Sequence, residues 1–202
     1  MSRSTTDSDI RFARVACAAR RLGLVAGLCA SFAGSAFAAE GVLPADVVAA
    51  LVRKVAPYER GYAARAADGL VIAVVFAPAS DASRLEKDLV VRALSERMPA
   101  ARVVAVSDES LENEEGIDLV VLCEGVDLDE TSADAAKRGV LTIGLRTEHV
   151  ENIRGAAMAF VPRAGKPRIL VNLKAAGNAS LDIDARLLGL AEIVTENAQA
   201  SK

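Results

Sequence analysis

Few side chains in this sequence are of types that do chemistry, and their spacing points away from catalysis. His149 is the single histidine of the 202 residues. A transition-metal site built on it would draw nearly every other ligand from carboxylates, a poor set for zinc. No metal site is expected, and His149 is read as a loop or surface residue. The same shortage removes Ser-His-Asp and Cys-His arrangements, so no catalytic residues and no turnover are expected. No Gly-x-Gly-x-x-Gly or Walker pattern follows an apolar run. The turn after "VIAVVF" is "APASDAS", with no glycine to let a phosphate approach the backbone, so no nucleotide or other cofactor is expected.

Two clusters remain. "EGVDLDE", Glu124 to Glu130, follows an apolar run, at the end of a strand where open α/β sheets keep their sites. It lacks the glycine and closing glutamate of a calcium loop, and is read as a solvated acidic edge. "KVAPYERGYAAR" differs in kind. Tyr58 and Tyr62 are the two tyrosines of the chain and flank Arg60. Tyr and Arg are the residue types that dominate binding hot spots, so Tyr58, Arg60 and Tyr62 are the candidate partner-binding residues, weighed against plain packing on the core.

These residues need elements to hold them. "LPADVVAALVRKV", Leu43 to Val55, has Val47, Leu51 and Val55 at helical spacing, with Pro57 ending the helix. "LVIAVVFAP" is a continuous β-branched run, the mark of a strand buried on both faces. "RLEKDLVVRALSERM" places Leu85, Leu89, Arg92 and Leu94 near helical spacing. "ARVVAVS" and "IDLVVLCEG" read as two further buried strands, "SADAAKRG" as a short helix ending at Gly139, and "VLTIGL" as the next strand. The alternation predicts an α/β fold: a single domain with an open, mainly parallel sheet and flanking helices. The ending departs from it. "AAMAFVPRAGKPRILVNL" reads as an antiparallel hairpin linked by Pro162 to Pro167. In "LDIDARLLGLAEIV" a stripe from Ile183 to Val194 predicts a closing helix.

The first 38 residues read as a signal peptide: Arg11, Arg14, Arg20 and Arg21 precede an apolar run, and Ala36-Phe37-Ala38 gives the cleavage pattern. Residues 39–195 form the α/β domain and 196–202 a disordered tail. Loss of the leader, with five Arg and two Asp, takes the net charge from −3 to −6. An acidic domain disfavours nucleic acid as a partner. Cys17 and Cys29 leave with the leader, so the exported chain keeps Cys123 alone, without an internal disulfide framework. Cys123 ends an apolar run and is expected to be buried and unpaired.

The C-terminal block carries a resemblance. "AMAFVPRAGKPRILVNLKAAGNASLDIDARLLGLAEIV" resembles the ending of the YfiR-like family of bacterial periplasmic proteins: a hairpin whose second strand finishes in "NL.AA", a turn, then a helix of the "LL.LA.IV" type. "LVRKVAPYERGYAARAADGLVIAVVF" and "GVLTIGL" are similar to the family's opening and an internal strand. The resemblance implies a periplasmic, non-enzymatic regulatory protein. Its partner would be a membrane signalling protein, the periplasmic part of a cyclase or sensor kinase; the family's namesake represses a membrane diguanylate cyclase and so lowers cyclic-di-GMP signalling. A homodimer stays open. Paired cysteines that gate relatives are not matched here, where Cys123 stands alone. The rival reading is a periplasmic small-ligand binding protein serving a transporter or sensor. Asn172, at the end of the last strand, is expected to satisfy backbone groups in the turn that follows.

Overall fold

The structure is a computed structural model and describes residues 41–152 and 154–195. The expected leader and the tail at 196–202 lie outside the described residues. No helix among the described residues is long and apolar enough to cross a membrane.

Helix α1, Ala45–Val55, buries Val48, Ala49, Val52 and Val55. Its buried stripe is thus shifted from the expected one: Val47 and Leu51 are only partly buried at its rim. A 3-10 turn, Ala56–Tyr58, takes over at Pro57, and α2, Tyr62–Arg65, completes the connector. Strand β1, Val71–Phe76, is buried through its middle as its unbroken β-branched run predicts. Helix α3, Asp81–Arg97, starts at Ser80, whose hydroxyl accepts the Ser83 N–H. It leads to β2, Arg102–Ser107, after which β3, Leu119–Leu122, is wholly buried. Helix α4, Leu128–Lys137, is capped by Asp127 and so begins inside the acidic run rather than at Ser132. Then follow β4, Leu141–Gly144, the short α5, Glu148–Glu151, and the hairpin of β5, Met158–Arg163, with β6, Lys166–Val171.

With the two-residue β7, Glu192–Ile193, the described residues form a seven-stranded sheet in the order β2-β1-β3-β4-β5-β6-β7. β1 to β5 run parallel, β6 is antiparallel to β5, and β7 returns parallel to β6. This is the mainly parallel sheet with flanking helices that alternation predicts. Its order reverses at β1, between β2 and β3. One core face packs α1 and α3 onto the sheet through Val52, Leu94 and Phe160; the opposite face gathers Leu111, Val126 and Ala135 over Val75 and Val120.

Four further particulars differ from the sequence reading. "ARVVAVS" is the edge strand, and its Arg102 and Ala105 are exposed. Leu85 and Leu89 face solvent on α3, which buries Val90 and Ala93 beside the expected Leu94. Gly-marked "LKAAGN" is a helix, α6, Leu173–Asn178, and the closing apolar segment holds only one helical turn, α7, Ala185–Leu188, before β7. His149 is buried, at 3% exposure, not on the surface. Two expectations are met. Cys123 is buried and unpaired. Asn172 accepts the Ala175 N–H at 2.9 Å and donates to the Val150 carbonyl at 2.9 Å, capping α6 while tying it to α5.

Candidate functional site

The connector that carries Tyr58, Arg60 and Tyr62 is held by the far end of the chain. The Arg60 N–H donates to the Asp182 carbonyl at 2.9 Å, and the Asp184 N–H donates to the Tyr58 carbonyl at 2.8 Å. Between them Glu59 is buried, accepting the Gly61 N–H at 2.9 Å and pairing with Arg65. A carboxylate so enclosed needs these partners, because an unpaired buried charge is costly. The connector is therefore fixed rather than loose.

Its side chains divide by role. Tyr58 and Tyr62 are half-buried against the main core. Arg60 reaches into solvent and pairs with Asp182 at 2.8 Å. The Arg186 guanidinium stands 5.5 Å from the centre of the Tyr58 ring, within cation–π range. Asp184 accepts from the Arg186 N–H and from its guanidinium, which holds the carboxyl at about 2. Tyr58 and Arg60 thus form a charged ridge with Asp182, Asp184 and Arg186, while Tyr62 packs on the core further along the connector. The sequence singles out only the connector side of that ridge. The other is 122 residues away and gave no local signal.

The second feature lies at the carboxyl ends of the strands. Arg146, just after β4, donates to Glu86 on α3 at 3.1 and 2.9 Å and to Glu124 after β3 at 2.8 Å. Glu86 also accepts the Glu124 N–H at 2.7 Å. The acidic segment read as a solvated edge is therefore partly structural: Glu124 closes this ion-pair network, and Asp127 accepts the N–H groups of Asp129 and Glu130. Beneath the network lies the Cys123 thiol. Burial, and then the charge of Glu86, push its pKa far up, so it stays protonated and is no nucleophile. His149 is kept neutral, its pKa lowered to about 4 by burial and by the Arg146 charge. Its Nδ1 accepts the Leu145 N–H at 3.3 Å, which makes Nε2 the protonated nitrogen. Beside Arg146 opens a groove of about 1240 Å³ between the start of α1 and the tip of the β5–β6 hairpin, lined by Val42, Leu43, Val47, Pro162 and Arg163.

The pattern of the YfiR/HmsC-like family matches residues 45–192, from the first residue of α1 to β7. The chain belongs to the YfiR/HmsC-like family. Its membership spans the connector, the ridge and the Arg146 network together. A comparison with curated proteins finds no match.

Solved structures share the fold at low identity. A conserved domain protein from Vibrio cholerae O1 biovar El Tor superposes with a TM-score of 0.57 at 14% identity, over 75% of this chain and 60% of that one. An ABC domain from Streptococcus pneumonia, solved in complex with L-Trp, gives 0.55 at 10% identity, over 75% and 62%. The open, ligand-free CD0873 of Clostridium difficile, a substrate binding protein with adhesive properties, gives 0.54 at 12%, over 73% and 58%. This YfiR/HmsC-like chain therefore spans about three-fifths of each of these larger proteins.

Proposed function

We propose that this protein is a non-enzymatic regulator that works in the periplasm by binding the periplasmic part of a membrane signalling protein, a cyclase or sensor kinase of a cyclic-di-GMP pathway. The observation that carries the reading is the family match, which runs over residues 45–192. The ridge of Tyr58 and Arg60 with Asp182 and Arg186, extended by Tyr62 along the connector, supplies the partner surface: a half-buried aromatic ring under a guanidinium, rimmed by exposed charges. Such amphipathic anchors are what hot spots use. The reading is supported by the state of the Cys123 thiol, which is held protonated, and of His149, which is buried and neutral.

A second reading has its own observation. The groove beside Arg146 sits at the carboxyl ends of parallel strands, where open α/β sheets bind ligands. Fold neighbours include a domain solved with L-Trp and a substrate binding protein. The rival is a small-ligand binding protein serving a transporter or sensor.

Pull-down from detergent-solubilised envelope, run beside thermal denaturation with and without L-Trp, separates the two. The regulatory reading expects a membrane signalling protein in the pull-down, lost in Tyr58→Ala or Tyr62→Ala per folded molecule. Retained capture in both variants rejects the ridge. A ligand-induced rise in melting temperature with no membrane protein captured favours the rival.

A further inference from the structure

A pocket of about 180 Å³ lies between α4 and α6 against β4, at the amino ends of β4 and β5. Its walls are small: Ala136 comes from α4 and Ala175 from α6. Two buried polar residues line it, Ser132 of α4 and Thr142 of β4, and two exposed ones, Arg154 and Asn178, stand at its mouth. Thr142 is already committed, since its Oγ1 accepts the Ala157 N–H at 2.8 Å. Ser132 is not. It is 6% exposed, and its Oγ has no hydrogen-bond partner among the described residues. A buried serine within a helix can return its hydroxyl to the carbonyl four residues back, but this one does not. A buried hydroxyl left unpaired is costly, so Ser132 marks a place for a partner from outside the chain.

We infer that this pocket binds a short carboxylic acid carrying a hydroxyl or keto group, with its carboxylate at Arg154 and Asn178 and its second oxygen group at Ser132.

Size, charge and rigidity set that class. At about 30 Å³ for each water, the pocket takes a molecule of about six non-hydrogen atoms. Lactate and pyruvate are of that size. Arg154 is the one charged residue in the lining, so the ligand is an anion. A guanidinium and a side-chain amide both donate to a carboxylate, while the alanine methyls take the carbon chain. The Ser132 hydroxyl can donate and accept, which suits a hydroxyl and a keto oxygen alike. The α6 wall is fixed at both ends. Asn172 caps its start. At its finish the Ser180 N–H donates to the Gly177 carbonyl at 3.0 Å and the Leu181 N–H to the Ala176 carbonyl at 2.9 Å, the paired bonds of a Schellman ending. Ser180 holds φ at 52° to make them, a backbone form that persists in a non-glycine residue only where its surroundings impose it. The pocket is therefore formed before a ligand arrives, which lowers the cost of binding.

This inference is independent of both readings above, because the pocket shares no residue with the Tyr58–Arg186 ridge or with the groove beside Arg146. Its test is titration calorimetry of the purified protein with lactate and pyruvate. Two comparison compounds run beside them: propionate, which lacks the second oxygen group, and propylene glycol, which lacks the carboxylate. The expected result is saturable binding of lactate or pyruvate, with propionate and propylene glycol each at least about tenfold weaker. Ser132→Ala should erase the preference over propionate, and Arg154→Gln the preference over propylene glycol. Without ligand, Ser132→Ala should melt no lower than wild type, because the hydroxyl it removes bonds nothing among the described residues; lost selectivity in that variant is then not lost folding. No saturable binding of either acid overturns the proposal. Binding that Ser132→Ala leaves unchanged overturns it equally. A Ser132→Ala chain that melts well below wild type, with neither acid bound by wild type, makes the hydroxyl a structural group and also overturns it.

Discussion

Arg146 holds both carboxylate oxygens of Glu86 across sixty residues of sequence, at 3.1 and 2.9 Å. The pair ties the loop after β4 to the middle of α3, over the point where the strand order reverses. With side-chain exposures of 18% and 12% it is largely but not fully withdrawn from water. Arg146→Ala would leave Glu86 and Glu124 facing each other without a cation. The expected loss is about 2–3 kcal/mol, below the range for breaking a fully buried pair. Urea denaturation checks it, and Glu86→Gln should cost less because one neutral acceptor remains.

His149 predicts a pH dependence. Its pKa is lowered to about 4 in the folded chain, first by burial and then by Arg146, against about 6.5 in an unfolded one. Between those values the unfolded state takes up a proton that the folded state refuses. Stability from this group is therefore complete above pH 6.5 and falls as pH drops towards 4, by about 3 kcal/mol at most. Urea midpoints measured from pH 7 to pH 4 should decline, and His149→Gln should flatten that decline.

Gly144 is packed against the same histidine. A Cβ at Gly144 would lie 2.3 Å from the His149 Cβ, closer than real side chains approach. Gly144→Ala should cost about 3 kcal/mol, since neither the β4 backbone nor the α5 backbone can move freely. A melting temperature equal to wild type would show that α5 can shift.

Cys123 should be inert in the native state. It is fully buried and its thiol is held protonated. A bulky thiol reagent should label this residue only at the rate of opening of the fold, and labelling should quicken steeply once urea passes the unfolding midpoint. Rapid native labelling at Cys123 would contradict the burial.

Arg60→Ala tests the ridge with little structural cost. Its pair with Asp182 is exposed at both ends, and such pairs contribute about 0–1 kcal/mol. The melting temperature should hold while envelope capture falls. Tyr58→Ala should lower both, because that ring also packs on the core.

The sequence alone determined what is local. The unbroken β-branched run "VIAVVF", stopped by proline, pointed to a strand covered on both faces, and alternation of such runs with helical segments pointed to a mainly parallel sheet. Asn172 as a cap and Cys123 as a buried thiol followed from residue type and position. Tertiary structure decided everything that depended on distant neighbours. His149 looked free because no pattern around it shows that the chain folds back over it; in space Gly144 at the end of β4 packs against its side chain and the Leu145 N–H donates to its Nδ1. "ARVVAVS" looked like a buried strand because an edge strand carries the same β-branched residues, and strand order is not written in any single strand. Leu85 and Leu89 fit a helical stripe, yet a period only says which residues share a face, and the position of the sheet and α1 chose Val90 and Leu94 to bury. The charged ridge needed Asp182 and Arg186 brought to Tyr58 and Arg60 by the returning chain, a contact that closure of the fold supplies and local pattern cannot.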